Sequence, residues 1–220
     1  KFNNLIEEIC VKRPNYVFLP SNSRVNLYKK KFRRNHNIFP IYNSFSKSFK
    51  IKKNSISKKY NFLKKKNYFV RLGSFYKYHF LKELALSTKY WKKNFFLVMA
   101  GKSYEGYFEK LKKFIKKNKL NKVILIKNIS YNLWFSLLKN GYGGFALYEQ
   151  INTSHRLMGG TSQKLNNYIF SGLPSFVIKS RDIIKFNKKY KTSIVVDSKP
   201  KLIAKKVNNL IRNKKLHKYK

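Results

Sequence analysis

A doubly wound parallel α/β sheet is the fold class this sequence predicts, and three observations predict it. Short apolar runs alternate six times with stretches of helical period. One of those runs, "NFFLVMAG" (94–101), is nearly continuous in apolar residues, as a parallel strand covered on both faces must be. Each pair of elements is separated by only a few turn-forming residues, the connection length of βα units.

Taken in order, "YVFLPS" (16–21) is a short strand closed by turn residues, and "NSRVNLYKKKF" (22–32) a polar helix capped by Asn or Ser. In "NIFPIYNSF" (37–45) Pro40 imposes an extended path. Residues 46–66 are rich in Lys and Ser without a period and read as a loop or linker. The regular alternation starts with the strand "NYFVRLG" (67–73) and a helix over 76–91 that turns Leu81, Leu84 and Ala85 inward. After the strand 94–101, a helix over 104–118 aligns Phe108, Leu111 and Ile115 in one stripe. "KVILIKN" (122–128) is a strand, and "NLWFSLLKN" (132–140) a helix ended by Gly141. "GGFALYE" (143–149) is a strand, and 150–160 a loop. A helix over 162–171, strand 174–178, helix 181–190, strand 193–197 and helix 201–213 complete the series.

The 220 residues carry 51 Lys and Arg against 8 Asp and Glu, a net charge of +43. Such a field favours anionic partners: nucleic acid, anionic lipid or a phosphorylated small molecule. Only 8 of the basic residues are Arg, which base-edge and bidentate phosphate readout prefer, so nucleic acid is the disfavoured partner. A Lys, Asn, Ile, Phe and Tyr excess is also what an A+T-rich genome writes at unconstrained surface positions. The single cysteine, Cys10, leaves no pair for an internal disulfide and suits a reducing compartment. No apolar run reaches the roughly 18–20 residues of a membrane-spanning helix. The amino end, "KFNNLIEEIC", lacks the pattern of a signal peptide, and its opening on Lys rather than Met suggests a fragment.

Ligands of doubly wound sheets bind beyond the carboxyl ends of the strands, where the winding reverses. Three strand exits carry candidate residues. In "RLGSFYK" (71–77), Gly73 permits a sharp turn and Ser74 with the following amides faces an anion, or the segment is a plain turn. At 161–168, Thr161 or Ser162 caps a helix whose first turn holds Lys164, with Asn167 and Tyr168 on the same face; Leu165, Ile169 and Phe170 pack inward. A lysine there opposes the helix dipole, so either it seats a phosphate or it is one more solvated lysine. Glu149, at a strand exit before a long loop, is placed to hold sugar hydroxyls or simply faces solvent. No GxGxxG follows any strand, "GGTSQKL" lacks P-loop spacing, and His36, His79, His155 and His217 show no ligand spacing, so no metal is expected. His155, in the glycine-containing loop, is a candidate bystander of the site.

These residues carry a resemblance. "SQKLNNYIFSGLPSFV" (162–177) resembles the S/T-P-x-K-x-x-E-Y-x-x-x-G-x-P-V signature of GT-B fold glycosyltransferases of group 1, family 4-like. "YFVRLGSF" (68–75), "NFFLVMAGK" (94–102) and the stretch 123–148 resemble the strands of that family's carboxyl-terminal donor-binding domain. The resemblance spans about residues 37–213. It implies a nucleotide-sugar-binding Rossmann-like domain over 37–220, and a remnant of the amino-terminal acceptor domain over 1–36.

By that resemblance the chain transfers a sugar from a nucleotide-diphosphate donor to a glycan or lipid-linked acceptor, without metal or other cofactor. Thr161, Ser162 and Lys164 would lie at the diphosphate, with Gly73 and Ser74 approaching from the other side. The backbone from Lys127 to Ile129 would meet the base, and Glu149 the sugar. Asn167 stands where the family has a glutamate for the ribose, and Lys77 is the nearest counterpart of the family's basic residues after the first strand. The expected location is cytoplasmic, with peripheral contact to the inner face of the membrane through the basic surface. Two other readings stand beside this one: a basic nucleic-acid-binding α/β protein, and a degenerate domain that binds sugar nucleotides without turnover.

Overall fold

The structure, a computed structural model, describes residues 2–33, 37–43, 58–92 and 94–213. Near the amino end, helices α1 (Phe2–Lys12) and α2 (Asn22–Phe32) cover a two-stranded parallel sheet of β1 (Val17–Leu19) and β2 (Ile38–Pro40). Its small core is Val11, Val25, Phe32 and Ile38. Ser21 caps α2 by accepting the Arg24 amide. Ile38–Pro40 lie in the stretch that the sequence places with the larger unit, yet they pair with β1 rather than with the main sheet.

The main sheet holds six parallel strands: β3 (Asn67–Leu72), β4 (Phe95–Gly101), β5 (Val123–Lys127), β6 (Gly144–Ala146), β7 (Ser175–Ile178) and β8 (Ser193–Val196). Their order is β5-β4-β3-β6-β7-β8. The chain winds outward from β3 to β5, returns to lay β6 on the other side of β3, and winds outward again. The reversal therefore falls between β3 and β6.

Alternate residues of the strands feed two cores. Phe69, Leu97, Met99, Phe145 and Phe176 face α3 (Leu81–Ser87), α4 (Tyr107–Lys117) and α9 (Pro200–Arg212). Tyr68, Val70, Leu72, Val98, Ala100 and Val177 face α5 (Tyr131–Asn140), α7 (Gln163–Phe170) and α8 (Arg181–Tyr190). Burial on both faces is why the strands lack polar alternation.

Three details differ from the sequence expectation. The helix expected over 76–91 is divided into α3 and two 3-10 turns: Phe80, in a left-handed conformation (φ 48°), separates Lys77–His79 from α3, and Thr88–Tyr90 tighten its carboxyl end. The loop 150–160 contains a short helix, α6 (Thr153–Arg156), capped by the Asn152 side chain. Of the linker expected over 46–66, residues 46–57 lie outside the described residues, and Lys58–Lys65 form a 3-10 helix that buries Leu63.

Candidate functional site

The carboxyl ends of β3 and β6 meet α7 at the reversal point. Only Val70 and Gly144 pair between the two strands, which then part. Tyr168 of α7 fills the opening: its hydroxyl accepts the Leu72 amide (3.0 Å) and donates to the Phe145 carbonyl (3.3 Å). A Cβ on Gly144 would come within 2.5 Å of the Tyr168 ring, so residue 144 must be glycine for the helix to approach this closely. Tyr168 is thus a core residue rather than part of a polar row facing the loop. Phe170, expected inward, is 37% exposed.

Just past Leu72 the chain turns at Gly73, whose φ of 116° disfavours any side chain. Lys164 lies directly over it: a Cβ on Gly73 would sit 2.5 Å from the lysine Cε and 3.3 Å from Nζ. The two strand-exit corners singled out in the sequence therefore touch. Ser162, not Thr161, caps α7 by accepting the Leu165 amide. Its hydroxyl also meets the Tyr148 hydroxyl at 2.9 Å, and that phenol accepts a hydrogen bond from Lys164 Nζ at 3.2 Å. Nζ also lies 4.8 Å from the centre of the Tyr148 ring.

Arg71, two residues before the turn, completes the arrangement. It is 2% exposed and has no carboxylate partner among the described residues. Nη1 donates to the Gly73 carbonyl at 2.6 Å and Nη2 meets His79 Nδ1 at 2.8 Å. Burial draws its pKa down to about 10, so it stays charged at neutral pH. Lys164 is only half-buried by surface, yet its ammonium sits deep enough that lost hydration, followed by the Arg71 charge, holds its pKa well below the usual lysine value. Two basic groups thus approach the Gly73 turn without a carboxylate partner among the described residues. Four of the eight acids are engaged elsewhere: Glu7 with Lys31, Glu8 with Lys12, Glu109 with Lys127, and Asp182 with the Gly159 amide.

His79 Nδ1 lies near both Arg71 and the Ser74 carbonyl (3.2 Å). A guanidinium has only hydrogens to offer, so Nδ1 accepts from it and the neutral ring carries its proton on Nε2. Burial, then Arg71 and Lys164, push the imidazole pKa down to about 2. The unfolded chain, with a histidine pKa near 6.5, binds a proton that the folded chain refuses. Stability is then complete above about pH 6.5 and falls as pH drops from there toward 2, by up to about 1.4 kcal/mol per pH unit. His79→Gln should flatten that slope in urea unfolding between pH 7 and pH 4. Equal slopes in the two proteins would refute the assignment.

Beside the Gly73 turn opens a cleft of about 310 Å³ lined by Gly73, Ser74, Gly101, Ile129, Tyr131 and Trp134. Gly101 lets the two turns press together, since a Cβ there would fall 2.0 Å from the Gly73 carbonyl oxygen. Gly73, Ser74, Ile129, Ser162 and Lys164 are accordingly gathered around one mouth of the sheet. Asn167 is on the next turn of α7 and 4% exposed. Thr161 turns its hydroxyl back to the Leu157 carbonyl. The main chain of Glu149 is tied on both sides, its amide to the Tyr78 carbonyl and its carbonyl to His155 Nδ1. His155 also lies 5.6 Å from the Tyr148 ring. One predicted residue points elsewhere: Lys77 is exposed, its ammonium 4.8 Å from the Tyr78 ring centre. The Lys127 side chain pairs with Glu109 at 3.2 Å, which leaves its backbone, the part expected to meet the base, unaffected.

The sequence candidates omitted Arg71, His79 and Tyr148. One signal for Arg71 was in view, a charged residue inside the otherwise apolar run "YFVRLG". Among the described residues, no three His, Cys, Asp or Glu side chains group as metal ligands, and no helix is long and apolar enough to cross a membrane.

No protein-family profile and no curated protein matches the sequence. Solved structures do match. Trehalose-6-phosphate synthase OtsA superposes with a TM-score of 0.68 at 9% identity, over 96% of this chain and 55% of its own. Anabaena HepE, in complex with UDP and glucose, gives 0.66 at 14% identity, over 97% and 58%. WaaG, a glycosyltransferase of lipopolysaccharide biosynthesis, gives 0.64 at 10% identity, over 90% and 54%. The fold is of the GT-B glycosyltransferase type. The chain spans a little over half the length of these three structures, and identities this low speak for the GT-B architecture alone.

Proposed function

We propose that this chain binds a nucleotide-diphosphate sugar at the mouth between β3, β6 and α7, as the donor of a glycosyl transfer to a glycan or lipid-linked acceptor. One observation carries the reading: Arg71 and Lys164 converge on Gly73 with no carboxylate to neutralise them, beside a cleft with aromatic walls. Burial beside Arg71 without a countercharge makes the charged form of Lys164 costly in the empty protein, and a diphosphate supplies the missing charge. In the transfer, negative charge grows on the departing nucleotide diphosphate. Cations already fixed in place would stabilise it without reorganisation, and no metal is needed for that role. Tyr131 and Trp134 provide flat apolar surface for the base. Similar structures were solved with UDP and glucose and with UDP-2-fluoro glucose, which supports the choice of ligand class.

In this reading the small unit that holds β1 and β2, and so reaches Pro40, belongs to the acceptor-side domain, and the +43 charge favours peripheral contact with anionic membrane on the cytoplasmic side. Burial of Asn167, where the resembling family keeps a glutamate, favours one second reading: a domain that holds the sugar nucleotide without turnover. Calorimetric titration with UDP, GDP and ADP tests the proposal. Saturable binding to one of them, weakly dependent on salt, is expected. Binding only to nucleic acid, with an affinity that collapses as salt rises, would overturn it.

A further inference from the structure

We infer that Arg71 is a positioning residue that turns the Gly73–Ser74 peptide so that the Ser74 amide donates to the phosphate of the bound nucleotide. The inference rests on the proposed donor site. Three observations lead to it. The Arg71 guanidinium holds the Gly73 carbonyl at 2.6 Å, on the buried side of the turn. The next carbonyl, of Ser74, also faces inward, 3.2 Å from the histidine that Arg71 binds. The described chain has no cis peptide bond, and in a trans peptide the N–H points opposite to the carbonyl before it. With the Gly73 oxygen fixed inward, the Ser74 N–H faces outward, on the side where Gly73 and Ser74 line the cleft.

The bonding of the neighbouring amides isolates this one. Gly73 N–H donates to the Ala100 carbonyl (2.9 Å) and Phe75 N–H to the Lys102 carbonyl (2.8 Å). Between them the Ser74 N–H has no acceptor among the described residues. A backbone donor left open between two bonded neighbours needs water or a ligand to satisfy it. Lys164 lies over the same glycine, so an anion held by the lysine is within the reach of this amide. Gly73 permits the arrangement, since its φ of 116° is the conformation in which the peptide can be turned this way. Arg71 then acts twice: its charge adds to the field at the anion, and its hydrogen bond aims a neutral donor there. Lysine at 71 would keep the charge, but its single ammonium cannot bridge the Gly73 carbonyl and His79 as the planar fork does.

Amide NMR of the whole chain, with UDP and uridine as probes, tests this. UDP should move the Ser74 amide proton downfield and slow its exchange, whereas uridine, lacking phosphate, should leave it unchanged. In Arg71→Met and Arg71→Lys, UDP affinity should fall by about tenfold and about threefold respectively, and the Ser74 response should be lost in Met and weakened in Lys. Uridine affinity should be unchanged in both. If UDP binds and the wild-type Ser74 amide does not respond, the inference is wrong while the donor site stands. If the response survives intact in Arg71→Met, Arg71 does not position the peptide. If the folded chain binds no nucleoside diphosphate, the donor reading fails and this inference with it. The wild-type measurement needs no variant, so a substitution that fails to fold leaves it decisive.

Discussion

Lys164→Met is expected to weaken UDP binding by about 10–100-fold while making the ligand-free protein more stable. The two effects have one cause. In the empty site the ammonium has a phenol hydroxyl as its hydrogen-bond acceptor, the Arg71 charge nearby, and little water. A methionine of similar length removes the buried charge and keeps most of the contact with Gly73 and Tyr148, which should stabilise the fold by on the order of 1 kcal/mol. For a chain of this size that corresponds to a rise in Tm of about 2–4 °C. With a diphosphate present, the same ammonium makes a charge-assisted bond worth about 1.5–3 kcal/mol, which sets the loss of affinity. Calorimetry with UDP and thermal unfolding of the free protein measure the two halves separately. A lysine serving only as packing would lose stability on substitution and leave affinity unchanged, and that combination would remove Lys164 from the site.

The same residue shows what the sequence could and could not reveal. A lysine in the first turn of a helix is legible as an anomaly, because it opposes the helix dipole. Gly73 is legible too, as a glycine placed at the end of an apolar strand. Their contact depends on the winding order β5-β4-β3-β6-β7-β8, which brings residues 91 positions apart together at the reversal point. The period of apolar residues gave each strand and its partner helix, since burial on both faces leaves a strong local signal. Arg71 is harder to read: in "YFVRLG" it occupies a strand position that must be buried, but nothing local tells whether its fork bends toward a carbonyl, an acid or a ligand. Lys77 shows the opposite failure. It follows a strand at a plausible spacing, yet its side chain is exposed on a 3-10 turn and its ammonium lies by the Tyr78 ring. Side-chain direction at strand exits is set by tertiary neighbours, and spacing does not encode it. The break in the helix over 76–91 has a similar origin, since His79 turns inward to meet Arg71 and periodicity alone carries no trace of that pairing.

Tyr168→Phe should cost about 2–4 kcal/mol of stability, a large effect for the loss of a single oxygen. The reason lies in how a doubly wound sheet opens its ligand mouth. Strands β3 and β6 must diverge to leave room for a ligand, and divergence strips backbone groups of their ladder partners. Here the orphaned groups are the Leu72 N–H and the Phe145 carbonyl, and the buried Tyr168 hydroxyl satisfies both at once. Phenylalanine would keep the ring packed against Gly144 but leave a buried donor and a buried acceptor unpaired, at about 1–3 kcal/mol each. Part of that penalty would be relieved by β3 and β6 closing toward one another. Closure would shift Gly73, which follows Leu72 directly, away from Lys164. Urea unfolding of Tyr168→Phe should therefore show a lowered midpoint with an unchanged m value, and UDP calorimetry a weakened affinity. A midpoint equal to that of the wild type would mean that the hydroxyl is dispensable and that the strands are held apart by packing alone.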